Sequence, residues 1–418
     1  MARARFAFPS LDRRLQEFRS TVAARTEPLT GPLKPGAQVL KRGWNRLGYA
    51  RYLVAAMVMW FVPSLMSEGY FPYLTGGYGT QVLFLVGIWI LLALGLGVVV
   101  GLAGLLDLGY VAFFMLGAYT TALMTNSGTE GQFHFVTWPT WVALPFALLV
   151  AMCAGAALGT PTLRLRGDYL AIVTLGFHEI VLQTMNNLEI TNGSRGIFGI
   201  PHPSIDLFGI HYQFGLDATP YWRFLLIPAI LLAVIMIRHL DHSRVGRYWT
   251  AIREDEVAAS AMGVPVTKMK VLAFVIGAST SGVGGWIYAV QINFISPNNF
   301  PLLASILVLS AVVVGGLGSI SGAVLGAILV VGIPEIVREA SNDATIFGFD
   351  IETGRTAVFG LLLILVMIFR PGGVLVAKRR RVELQSARPE QGVLVDDTEV
   401  LETRAEEEDV RAAGGKST

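Results

Sequence analysis

The stretch VLFLVGIWILLALGLGVVVGLAGLLDLGYVAFFMLGAYTTALM, Val82–Met124, contains a single charged residue, Asp107. A hydrocarbon core about 30 Å thick takes roughly 20 apolar residues of helix. The tract is therefore long enough to cross a bilayer twice, with GLAGLLDLG (Gly101–Gly109) as the interruption between crossings. The same economy of charge runs through the chain: 53% of its 418 residues are apolar, 15% are charged, and 46 are glycine. That composition excludes an ordinary water-soluble domain and suits helices packed through small residues in lipid. The reading is an all-α polytopic membrane protein with about ten transmembrane helices, at 52–67, 82–100, 108–124, 140–160, 169–188, 222–239, 270–292, 302–316, 319–337 and 355–370. Ten spans can be arranged as two inverted five-helix halves, a known transporter design.

Around this transmembrane permease domain, 52–372, lie a basic extension, 1–51, and a tail, 373–418, basic and then acidic. The first span follows about fifty mostly polar residues, so no cleavable signal peptide is expected. Residues 1–51 carry eleven Lys/Arg, residues 238–270 carry six, and Lys378–Arg381 is a run of four. The connections 68–81, 125–139 and 293–301 carry none. The positive-inside rule then places both termini and the 238–270 loop on the cytoplasmic side of a bacterial-type plasma membrane, and ten spans agree, since an even number returns the chain to its starting side. Arg338 and Arg355 fit that topology poorly. The extension suits anionic membrane lipid, and the acidic tail, Asp396–Asp409, is expected to be disordered.

A second interruption, GGLGSISG (Gly315–Gly322), follows Val312–Val314 as the first follows Val98–Val100. Unwound backbone at membrane depth is tolerated only against protein or water, and transporters use it to meet polar solutes; close helix packing is the plainer reason for such glycines. Both VVVG segments fall on the cytoplasmic side of this topology, so they are not inverted mates. Within spans, Asp107, His178 and Glu179 stand out, because a charge in lipid must pair or face water. Asp107, Gly109, Tyr119 and Glu179 are the candidates for a solute path. Pro145, Pro228 and Pro334 should kink their helices. Cys153, the one cysteine, is read as a small packing residue and excludes an intrachain disulfide.

The polar exception is GRYWTAIREDEVAASAMGVPVTK, Gly246–Lys268. On one helix, Ala251, Ile252, Ala258, Ala259 and Met262 share a face, with Asp255 inside it and Arg253, Glu254 and Glu256 off it. Gly263 suits a left-handed helix end and Pro265 stops the helix. The pattern fits a helix docking in a partner's groove, an interfacial helix on headgroups, or a solvated loop.

Catalysis by this chain is not expected. Gly415-Lys416-Ser417 mimics the end of a phosphate-binding loop, but Val410 stands where its first glycine is needed. The histidines lack HExxH spacing, and no metal or nucleic-acid partner is indicated.

The segments GLAGLLDLGYVAFFMLGAYTTALM (Gly101–Met124), LRGDYLAIVTLGFHEIV (Leu165–Val181), TNGSRGIFGIP (Thr191–Pro201), the Arg247–Lys268 loop and VVVGGLGSISGAVLGA (Val312–Ala327) resemble the LivM-type permeases of branched-chain amino acid ABC transporters. The resemblance covers roughly residues 80–375. It implies a coupling loop of the pattern EAA, three residues, Gly. Val257-Ala258-Ala259 and Gly263 hold that register, with Val in place of Glu and Glu256 one position early. The ATPase-coupling residues would then be Ile252, Arg253, Glu254, Asp255, Glu256, Ala258, Ala259, Met262 and Gly263. The implied assembly is a LivH-type second permease, two cytoplasmic ATPase subunits that use the ATP, and an extracytoplasmic binding protein, with no cofactor on this chain. Urea or another amide as solute, or an ion-coupled secondary transporter using Glu179 and Asp107, are the rival readings.

Overall fold

The computed structural model of the protein describes residues 50–67, 79–126, 137–162, 168–207, 210–335, 345–346, 349–350 and 360. By its internal contacts the chain divides into two units, Met1–Leu375 and Val376–Thr418, and every described residue belongs to the first. The tail 373–418, all but the end of the extension 1–51, and all of the tenth expected span except Gly360 lie outside the described residues.

Nine of the expected spans coincide with helices, each end within four residues of its expected place. They are α1 (Ala50–Ser67), α2 (Gly79–Leu102), α3 (Val111–Thr125), α4 (Thr140–Thr162), α5 (Asp168–Asn187), α6 (Ala218–His242), α9 (Val266–Ile292), α10 (Leu302–Gly315) and α11 (Ile320–Glu335). Between α6 and α9 lie two short polar helices, α7 (Arg244–Glu254) and α8 (Glu256–Ala261). Among the described residues, strand is confined to two-stranded antiparallel pairs, such as Ser204–Leu207 with Ile210–Gln213 and Ile197–Phe198 with Phe294–Ile295. Among the described residues, five helices are both long and apolar enough to cross a bilayer, and α3 and α11 are shorter apolar helices. The protein is a multi-pass, all-α membrane protein.

The core is built around α9, which packs on α2, α3 and α4. Small residues allow this. A Cβ on Gly117 of α3 would stand 2.6 Å from the carbonyl oxygen of Gly282 on α9, so the two backbones are in direct contact. Lipid tails are as apolar as leucine, and such close approach replaces the hydrophobic drive that holds soluble helices together. Trp286 of α9 is buried and donates to Thr140 O (2.9 Å), pinning the start of α4.

Two of the three span prolines, Pro228 and Pro334, follow π turns, whereas Pro145 lies within the continuous α-helix of α4. Tyr221–Leu226 precedes Pro228 and Ile328–Gly332 precedes Pro334. Each proline lacks the amide hydrogen that the preceding turn would use, and the widened turn accommodates the missing bond. Cys153 departs from expectation. It is exposed on α4 rather than packed between helices of this chain.

Gly117→Val should lower the melting temperature of the detergent-extracted protein by an overpacking cost of about 1–3 kcal/mol. Gly97→Ala, whose added methyl meets nothing within 4 Å, should leave it unchanged. Chromatographic melting of the two variants is the check.

Candidate functional site: a polar corner braced against two interrupted spans

Ser243 opens the corner, its hydroxyl accepting from the amides of Val245 and Gly246 to cap α7. Three residues of α7 turn inward, Gly246, Trp249 and Ile252, and the Trp249 indole donates to Met269 O of α9 (2.8 Å). At Asp255 the backbone becomes extended (φ −153°, ψ 112°) and the helix stops. The Asp255 carboxylate then accepts from the amides of Val257 (2.8 Å) and Ala258 (3.0 Å), starting α8 as an N-cap.

This corrects the single helix expected over the loop. Ile252 and Ala259 point into the chain's own body and are buried, while Val257, Ala258 and Met262 are exposed. Asp255 is spent on its own helix terminus rather than standing inside an apolar stripe. Glu254 is exposed.

Gly263 ends α8 in the left-handed region at φ +80°. Its amide reaches Ser260 O and that of Val264 reaches Ala259 O, the paired bonds of a Schellman cap. Glu256 has a defined place: its carboxylate accepts from the Lys270 ammonium at 2.8 Å, with the lysine side chain only 5% exposed. Lys270 was read from sequence only as one of the loop's cations. The available signal was a lone lysine a turn into an apolar span, which demands a partner.

Arg253 leaves this corner for the first interruption. Its Nη1 donates to Gly101 O at 2.7 Å, at the π-helical end of α2. Gly101 in turn abuts the second interruption, where an added Cβ would stand 2.7 Å from Gly318 N. The two VVVG breaks therefore meet.

The unwound link between α2 and α3 is satisfied by neighbouring helices. Leu108 N donates to Thr174 Oγ1 of α5 (2.9 Å), Tyr110 OH to Gly277 O of α9 (2.8 Å), and Val111 N to Ser305 Oγ of α10 (3.1 Å). Asp107 is buried in this link; its Oδ1 accepts from Gly109 N (2.8 Å), and Oδ2 has no partner among the described residues. Gly109 is sealed against α5, where a Cβ would stand 2.0 Å from Thr174 O. Tyr119 is buried beside Phe300, its hydroxyl unpartnered among the described residues.

Of the four path candidates, Glu179 alone reaches the surface of this chain. Asp107 and Gly109 are brought together; Tyr119 and Glu179 join neither. Glu179 accepts from Gln183 Nε2 (2.8 Å), and Asn187 Nδ2 donates to Gln183 O (2.7 Å), so three exposed polar residues run up one face of α5. The preceding residue, His178, is fully buried with both ring nitrogens unpartnered among the described residues. Among these residues no His/Cys/Asp/Glu group could hold a metal ion.

Removing one member of a buried ion pair strands the other and costs roughly 3–5 kcal/mol, less where one partner is partly exposed. Glu256→Ala should therefore lower the melting temperature, and Glu256→Ala with Lys270→Met should restore most of it. Melting curves of the single and double variants check the pairing.

The chain matches the family described as branched-chain amino acid transport system, permease component, over residues 79–370. It is 39% identical over 337 residues to the high-affinity branched-chain amino acid transport permease LivM of Salmonella typhimurium, covering 76% of this chain and 74% of the relative. It is likewise 39% identical over 348 residues to LivM of Escherichia coli, covering 78% and 77%. Against LivH of Salmonella typhimurium the identity is 25% over 294 residues, 68% of this chain and 90% of the relative. No solved structure matches significantly. The chain belongs to the permease-component family of branched-chain amino acid transport systems.

Proposed function

We propose that this chain is one of two unlike permease subunits of an ATP-driven importer of leucine, isoleucine and valine. A LivH-type chain is its partner in the membrane, two ATPase subunits bind the pair from the cytoplasm, one of them at the α7–α8 corner, and an extracytoplasmic binding protein delivers the solute. The orientation follows the positive-inside rule: the corner and both termini are cytoplasmic.

The observation that carries this reading is the construction of the corner. α8 presents exposed Val257, Ala258 and Met262, and it is fixed from behind by the Glu256–Lys270 pair, the Asp255 cap and the Gly263 turn. A solvated loop has no need of a buried ion pair. A helix resting on headgroups would turn its apolar residues toward its own membrane and favour cations over Glu254, Asp255 and Glu256. A fixed polar helix with small exposed apolar residues suits a protein groove. The absence of a nucleotide loop in the sequence fits ATP chemistry on other chains.

α5 supports the paired arrangement. It is long enough to span, yet it is not among the five helices that are sufficiently apolar. Its exposed Glu179, Gln183 and Asn187 cannot face hydrocarbon without a cost of several kcal/mol. They suit a wet path between two permeases, with Ile172 and Ile180 beside them for apolar side chains.

Two outcomes test this. Val257→Asp with Met262→Asp should leave the permease inserted but cut co-purification of the ATPases and leucine uptake by at least about ten-fold, the effect of ~1.4 kcal/mol at a contact. Full uptake in that variant would remove the dock. Glu179→Gln should retain much of the ATP-driven uptake, whereas Glu179→Leu should lose it. Uptake driven by an imposed pH gradient without ATP would favour an ion-coupled carrier.

A further inference from the structure

Arg253 sits one turn beyond Trp249, whose indole is fastened to α9, and two residues before the extended backbone at Asp255. The α7–α8 corner is thus held to α9 at Trp249 and again at Glu256–Lys270. Arg253 is the side chain that reaches out of this corner. Its guanidinium takes Gly101 O at 2.7 Å, at the C-terminal end of α2, where carbonyls lack helical donors and the helix dipole favours a cation.

The surroundings of Arg253 are shaped for it. Gly104 has φ +73°, and a Cβ there would stand 2.4 Å from Arg253 Cγ, so the arginine stem lies where any other residue would project. Gly318 has φ +76°, and an added Cβ would be 3.6 Å from Arg253 Nη1. One cation therefore lies against both interrupted spans at the point where Gly101 and Gly318 touch. No carboxylate pairs with it among the described residues. An apolar crevice lined by Leu94, Gly97, Leu102, Ile237, Val312 and Ile320 runs beside the joint, with Gly318 of the second break on its wall.

We propose that Arg253 is a positioning residue that latches the two interrupted spans together, so that displacement of the α7–α8 corner is passed to both breaks at once. This rests on the reading of the corner as the ATPase dock. The bond is a charge-assisted one to a backbone carbonyl, strong enough to hold a conformation yet exchangeable for water when the corner shifts. Seating the link on backbone rather than on a side chain makes the helix ends themselves the moving parts.

The experiment uses the complete complex in proteoliposomes with leucine-loaded binding protein, recording leucine uptake and ATP hydrolysis together. In Arg253→Ala the ATPases should co-purify and hydrolyse ATP within about two-fold of the parent, while leucine moved per ATP falls about ten-fold, inside the usual range of inter-site coupling. Arg253→Lys, which keeps a cation and one donor, should recover part of that ratio. Gly104→Ala, which displaces the arginine stem, should lower the ratio similarly, and combining it with Arg253→Ala should add little. If Arg253→Ala does not accumulate, Arg253→Lys and Gly104→Ala carry the test by the same ratio. An unchanged ratio in the variants, additive losses in the pair, or loss of the ATPases from Arg253→Ala would each overturn the latch. A parent complex without ATP-dependent uptake would instead overturn the importer reading.

Discussion

The constraint on which the rest depends is that backbone at membrane depth has no water to bond with, so every interruption of a helix must be completed by another part of the protein. This chain breaks its helices twice, after Val98–Val100 and after Val312–Val314, and completes the breaks from elsewhere. Thr174, Ser305 and the Gly277 carbonyl serve the link leading to α3, the Ser319 hydroxyl caps α11 through Gly322 N (3.1 Å), and Arg253 serves the end of α2. Some of the polar residues of the core answer this need. Thr174 and Ser305 are buried and accept from backbone amides at the interruption, while the buried Tyr110 hydroxyl ties the link to α9.

The same rule separates polar groups that serve the fold from those left over. Asp107 Oδ1 completes the Gly109 turn and belongs to the fold. The Glu179, Gln183 and Asn187 face of α5 completes no interrupted segment; its bonds stay within its own helix, and its outer side is turned away from the core. Lipid is the one neighbour such a face cannot have. A second subunit or water must cover it, which is how an exposed carboxylate in one chain becomes an argument about an assembly.

Much of this was legible in the sequence, because membrane helices obey few rules. Length and apolarity placed the spans, Gly263 announced its left-handed turn, and the two glycine breaks stood out against the apolar tracts. What could not be read depended on side chains meeting across long separations. Periodicity put Ile252, Ala259 and Met262 on one face, since it assumes an unbroken helix. Asp255 breaks that helix by capping the next, and Ala259 ends buried while Met262, at the end of α8, is exposed. Nothing local distinguishes an aspartate on a helix surface from one at a helix start; the pairing of its carboxylate with two amides does. Lys270 with Glu256 is similar: the lysine's place in an apolar span calls for a partner, but only the folding of α8 back on α9 shows that the partner is Glu256, fourteen residues away. Tyr119 and Gly109 were plausible in a path by type and are buried by packing.

The contact between the two VVVG breaks gives their similarity a physical reason that chance resemblance lacks. The glycines at the two breaks let two backbones approach to a distance no side chain permits. Gly101 and Gly318 meet because both spans lose their side chains at the same depth. Arg253 reaches the joint from a corner tied twice to α9, and α9 runs through the core against α2, α3 and α4. Any movement of the corner must therefore either shift α9 against three neighbours through close-packed glycine contacts, or flex the joint.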